Sequence, residues 1–110
     1  MNVPTTDLSS LVAFITERYK YNSAAYPGFD AMTPEARGGF IVKHSVLHMS
    51  KSVGALAAEA ERQDHGGDMN NEALQVACAK MLVNTLSLAS ACGMTPEELA
   101  DMVPKVMTSK

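Results

Sequence analysis

The stretch from Gly38 to Gln63 constrains this chain more than any other, because one helix laid through it carries two opposed faces. At about 100° per residue, Val42, Val46, Met49, Val53, Leu56, Ala57 and Ala60 fall on one side. His44, His48 and Lys51 gather on the other, with Arg62 further along. A helix that packs with one side and collects imidazoles and an ammonium on the other is placed to line a site. The plainer reading is an amphipathic helix with a solvated back.

The rest of the chain is helical in pattern, and four helices are expected with no strand. Leu8, Leu11, Val12, Ile15 and Tyr19 form a stripe at helical spacing, so the first helix is read over residues 7–21. Pro27-Gly28 marks a turn in the connector. Thr33-Pro34-Glu35 opens the long helix, with Thr as N-cap and Pro in the first helical position. That helix stops at Asp64-His65-Gly66-Gly67-Asp68, where the glycines suit a helix end. A third helix runs from Asn70 or Asn71 to Ala91 and closes at Gly93. It is apolar over most of its circumference and is therefore expected to be central, apart from a narrow stripe of Lys80, Asn84 and Ser87. Thr95-Pro96-Glu97-Glu98 is a capping box for the fourth helix. Its buried stripe is read as Leu99, Met102, Val103 and Val106, with Pro104 expected to kink or shorten it.

With 110 residues and no internal boundary, the chain is read as one all-α domain, residues 1–110. A hydrophobic content of 46% against 19% charged residues excludes general disorder. The net charge of −3 and the absence of a basic run argue against nucleic-acid binding. Cys78 and Cys92 lie on one helix about 21 Å apart at 1.5 Å per residue, beyond disulfide reach. They are read as buried thiols in a reducing, cytoplasmic setting. No signal peptide is expected at the N-terminus. Lys80, Asn84 and the hydroxyl residues between Ala73 and Cys92 argue against a membrane span.

Each candidate site residue has a structural alternative. His44 and His48 have the i, i+4 spacing of a transition-metal pair, but Ser45 follows where a zinc protease has Glu. A third ligand from Glu59, Asp64, His65 or Glu72 would be needed, and no metal is assigned. Lys80 is either a snorkelling side chain at the core edge or a ligand-facing cation. The methionines at 49, 81, 102 and 107 suit a core or an interface between copies. Asp64, His65 and Asp68 do not make a calcium loop.

The order of a long helix, a Gly-rich turn, an apolar helix and then G-M-T-P-E-E-L resembles the MazG-like all-α nucleotide pyrophosphohydrolases. The resemblance runs from about Phe40 to Val106 and rests on Val53-Gly54, Leu56, His65-Gly66 and Leu82 through Leu99. It implies a four-helix MazG-like bundle with a long antiparallel central helix pair, and a homodimer or higher homo-oligomer. Such proteins hydrolyse nucleoside triphosphates with Mg²⁺ held by an E-E-x-x-E and an E-x-x-D motif. The corresponding positions here are Lys51, Ser52, Ala55, Ala77 and Lys80, and none is a carboxylate.

The resulting expectation is a non-catalytic binder that sequesters or senses a phosphate-bearing small molecule, a nucleotide first among them, without a cofactor. Lys51 and Lys80 would form the floor of an interhelical cleft, with His44, His48, Asn84 and Ser87 around it. Such a protein would suit a phage or mobile element. Two alternatives stand beside it: a divergent pyrophosphohydrolase with a metal site rebuilt from Glu59, Glu61, Asp64 or Glu72, and a helical interaction module with no small ligand.

Overall fold

In the computed structural model, which describes residues 7–18 and 20–109, the chain forms four α-helices and one 3₁₀ turn. They are α1 (Leu8–Arg18), the 3₁₀ turn Phe29–Ala31, α2 (Pro34–Asp64), α3 (Asn71–Ala91) and α4 (Pro96–Thr108). No strand occurs among the described residues. The caps explain the boundaries. Thr33 accepts the Ala36 N–H, Asn70 accepts the Ala73 N–H, and Thr95 and Glu98 complete a reciprocal capping box. Gly66 and Gly93 adopt φ of 91° and 83° just beyond α2 and α3, a left-handed conformation that glycine takes without a Cβ clash.

The helix α2 runs the full 31 residues through Gly38 and Gly39, and α3 folds back along it as a hairpin. Glu59 locks the turn. Its Oε1 accepts the Asn70 N–H at 2.7 Å, and its Oε2 meets the Arg62 guanidinium at 3.1 Å. The segment after α1 folds its aromatics onto the start of α2. The rings of Tyr21, Tyr26, Phe29 and Phe40 pack at centroid distances of 5.2–6.4 Å, tying the connector to the hairpin.

Several packing expectations fail, and the failures share a cause. The fully buried residues of α2 are not those of the apolar stripe but the column Ser45, Ser52 and Glu59. These residues recur every seventh position and lie about 80° round the helix from the stripe. They face α3 near buried Ala77, and small side chains on both helices permit close approach. Val46 and Val53 are consequently 46% and 51% exposed. Among the described residues the buried apolar side chains are Ile15, Phe29, Ala77 and Leu86.

The helix α3 is flanked rather than enclosed, so Val76 and Leu82 are exposed. Cys78 and Cys92 are exposed free thiols, not buried ones. By length and composition alone α3 is long and apolar enough to cross a membrane, but Lys80 and Asn84 of its polar stripe line the hairpin cleft described below. The helix α4 continues through Pro104 to Thr108 without shortening, and of its expected buried stripe only Leu99 is half-buried. Met102, Val103 and Val106 are 48%, 49% and 64% exposed. α1 ends at Arg18, before Tyr21, and Tyr19 of its expected stripe lies outside the described residues.

Candidate functional site

Because α3 sits to one side of the apolar stripe, the opposite flank of the α2–α3 seam opens as a cleft of about 890 Å³. α2 supplies His48, Lys51, Ser52 and Ala55, and α3 supplies Ala77, Lys80 and Asn84, with Ala73, Val76 and Val83 completing an apolar wall. Lys51 and Lys80 therefore line one cavity from two different helices. Both side chains are exposed to solvent, and neither forms an ion pair among the described residues. The Asn84 side-chain amide donates to the Lys80 carbonyl at 2.9 Å, which fixes its orientation beside that lysine.

Two expected site residues lie elsewhere. Ser87 is half-buried and does not line the cleft; it stands nearly a full turn beyond Asn84. His44 belongs to the aromatic cluster, with its ring stacked on Phe40 at 5.6 Å. Its Nε2 lies 2.9 Å from the Tyr26 hydroxyl and 2.9 Å from His48 Nε2. A neutral imidazole nitrogen has one proton or one lone pair, so these two contacts share a single hydrogen-bonding capacity. Burial, and then the nearby His48 and Lys51, lowers the His44 pKa from its ordinary 6.5. The lowered pKa favours the neutral imidazole, and His44 sits in the aromatic cluster beside the cleft-lining His48. Lys80, like Lys51, is exposed rather than tucked along the core edge.

All five positions that the family resemblance equates with metal-binding carboxylates line this cleft: Lys51, Ser52, Ala55, Ala77 and Lys80. The one carboxylate among the lining residues is Glu72, at the α3 end. Mg²⁺ requires several oxygen ligands, preferably anionic, and two ammonium groups beside a single carboxylate do not fit it. Among the described residues no three His, Cys, Asp or Glu side chains converge as a metal site. Glu59, a candidate for a rebuilt site, has both oxygens engaged in the interhelical turn.

Sequence reasoning missed Tyr26, whose hydroxyl reaches His44 from the connector 18 residues away. No local pattern announces that contact. Ser52 and Glu72 enter the sequence reading only as metal-site positions, and both line the cleft. No protein-family model, curated protein or solved structure matches the chain.

Proposed function

We propose that the α2–α3 cleft binds a phosphate-bearing small molecule, with nucleotides the leading class, and does not hydrolyse it. The observation that carries this reading is the convergence of Lys51 and Lys80, two cations without ion-pair partners among the described residues, on one cavity of ligand size. Lysines supply point charges to phosphate oxygens without a bridging metal. His48 and Asn84 add hydrogen-bonding groups, and the alanine and valine wall offers apolar contact to the remainder of the ligand. Glu72 repels anions at its end of the cleft, so the phosphate belongs nearer the lysine pair.

On this reading the chain is a MazG-like helical protein whose carboxylate cage has been exchanged for fixed cations, acting in the cytoplasm as a sequestering or sensing protein. Thermal shift and calorimetry with inorganic phosphate and a nucleotide panel, each with and without Mg²⁺, test it. Binding is expected to be independent of Mg²⁺ and to weaken with added salt, which screens exposed charges. Both lysines are exposed and line the cleft, so Lys51→Ala and Lys80→Ala should each cost affinity. Unchanged affinity in a folded Lys51→Ala/Lys80→Ala double variant would remove the lysines from the site. Nucleoside triphosphate turnover with Mg²⁺ or Mn²⁺ that is lost in Glu72→Gln would favour the enzymatic alternative instead.

A further inference from the structure

Three donor atoms converge where the connector meets the first half of α2. His44 Nε2 lies 2.9 Å from His48 Nε2 and 2.9 Å from the Tyr26 hydroxyl. An imidazole nitrogen holds either one proton or one lone pair. As a chain of hydrogen bonds the trio is therefore oversubscribed at its middle member, which two groups approach at full hydrogen-bond distance. A cation that accepts lone pairs satisfies all three atoms at once.

The spacing carries information about the ion. Donors bonded to one metal at about 2.05 Å lie about 2.9 Å apart when they meet at a right angle, and about 3.3–3.4 Å apart in a tetrahedron. Both observed separations, which share His44, are those of neighbouring corners of a square. Square coordination by nitrogen and oxygen is the preference of Cu²⁺ and Ni²⁺, and Cu²⁺ is the tightest binder of the first-row divalent ions. A hard cation is a poorer occupant. Mg²⁺ calls for anionic oxygens, and Lys51 follows His48 by less than one turn on the same face. Lone-pair donation from imidazole to a borderline ion depends less on net charge, and the exposed Lys51 ammonium is screened by solvent.

The donors are held in place by the fold. The His44 ring stacks on Phe40 and meets Tyr26 edge-on at a centroid distance of 4.8 Å. The Tyr26 N–H donates to the Asn22 carbonyl at 2.8 Å, and the Tyr26 carbonyl accepts the Phe29 N–H at 3.0 Å. The Asp30 N–H donates to Ser23 Oγ at 2.7 Å and closes the connector on itself. Arg37 of α2 donates to the Met32 and Asp30 carbonyls and ties the connector to the helix that carries both histidines. Ligands locked by their own packing and hydrogen bonds lose little freedom when an ion binds. His48 also lines the cleft, which gives an ion its route from solvent.

We propose that Tyr26, His44 and His48 form a site for a transition-metal ion that prefers square coordination, Cu²⁺ first. On binding, each imidazole keeps its proton on Nδ1 and gives its Nε2 lone pair. Tyr26 releases its phenol proton to water and binds as phenolate, which a dication favours. Solvent supplies the remaining ligand, and no electron is transferred. None of the three donors is among the five positions that the family resemblance equates with metal ligands, and the site does not depend on what the lysines bind. Tyr26 is the third donor that the spacing of the two histidines left open.

The test is a titration of Cu²⁺ into the full chain carrying Cys78→Ser/Cys92→Ser, which removes two exposed thiols that bind and reduce copper. Calorimetry should give one ion per chain. Electron paramagnetic resonance should show nitrogen hyperfine structure, and the visible spectrum a phenolate-to-copper charge-transfer band. Tyr26→Phe keeps the ring in the cluster and should abolish the band while nitrogen coordination persists. His48→Ala should weaken binding by at least about tenfold, the least that loss of a ligand's supporting partner costs. His65→Ala, at the far end of α2, should change nothing. Circular dichroism of each variant checks the fold, and no outcome depends on replacing the packed His44. Absence of stoichiometric binding, unchanged affinity in His48→Ala, or a parent spectrum without a band that Tyr26→Phe removes overturns the proposal. So does loss of binding in His65→Ala, which would move the ion to the α2–α3 turn.

Discussion

Ser45 offers the sharpest test of the helix packing, because a serine is a poor choice for the place it occupies. Its side chain is 0% exposed, and its Oγ has no hydrogen-bond partner. A buried hydroxyl without a partner retains its desolvation cost, about 1–3 kcal/mol. Serine is also about 0.5 kcal/mol less favourable than alanine within a helix. Against these gains, Ser45→Ala leaves a void of roughly one oxygen atom, worth about 0.3 kcal/mol at the usual cost per unit of cavity volume.

The three effects together predict that Ser45→Ala stabilises the fold by about 1–3 kcal/mol. For a chain of this length that raises Tm by about 4–12 °C. The assay is thermal and urea unfolding followed by circular dichroism at one fixed protein concentration, since any association makes Tm depend on concentration. Ser52→Ala is the control. It stands one heptad further along the same column, but its residue lines the cleft, so its gain is limited to helix propensity, about 0.5 kcal/mol. If Ser45→Ala leaves Tm unchanged or lowers it, the hydroxyl is satisfied in solution and the seam is looser than the structure implies.

Removing the side chain in Glu59→Ala strands the Asn70 N–H at the α2–α3 turn and should destabilise by about 1–3 kcal/mol; Glu59→Gln keeps an acceptor and should cost less in the same urea titration. The lowered pKa of His44 sets a direction for acid sensitivity. Between that lowered value and the ordinary 6.5 the unfolded chain binds a proton that the folded chain refuses, so stability rises with pH through this window and is lost as pH falls through it. Urea midpoints measured from pH 7.5 downward should fall below about pH 6.5, and His44→Gln should flatten the profile; a native profile level to pH 5 would contradict the assignment. Glu72→Gln removes the one carboxylate of the cleft wall and should strengthen binding of inorganic phosphate or a nucleotide about two- to fivefold at low salt, read by calorimetry.

What the sequence made legible was local. Thr33, Asn70 and Thr95 marked the helix starts, and Gly66 and Gly93 marked the ends, because a cap is a contact between residues three or four apart. The placement of Lys51 and Lys80 on one cleft was also accessible, since each sits on the polar stripe of its own helix and a short turn forces those helices to be neighbours. His44 and Ser87 fall outside the lining of the cleft for different reasons. His44 shares a helix face with Lys51, but a tyrosine from a distant connector captures it. Ser87 continues the Lys80 stripe in projection, yet the cleft does not extend as far along the axis. Cys78 and the α4 stripe failed because hydrophobicity states that a face is favoured out of water, not which surface removes it.

That last distinction governs the long helix itself. The apolar stripe of α2 reads as its packing face, and within one chain it is not. The intramolecular contact falls on serines, an alanine and a hydrogen-bonded glutamate, residues that contribute little burial energy but allow two backbones to run close together. The residues with the larger transfer free energy, Val46 and Val53, are held outward. Such a division is costly for a lone chain that buries four apolar side chains among its described residues. It is economical for a hairpin that spends its small residues on its own turn and its large ones elsewhere. Moving α3 round by about 80° to cover the valines would turn the Lys80 side of α3 away from Lys51 and close the shared cleft. The geometry that leaves the stripe open is therefore the same geometry that brings the two lysines together.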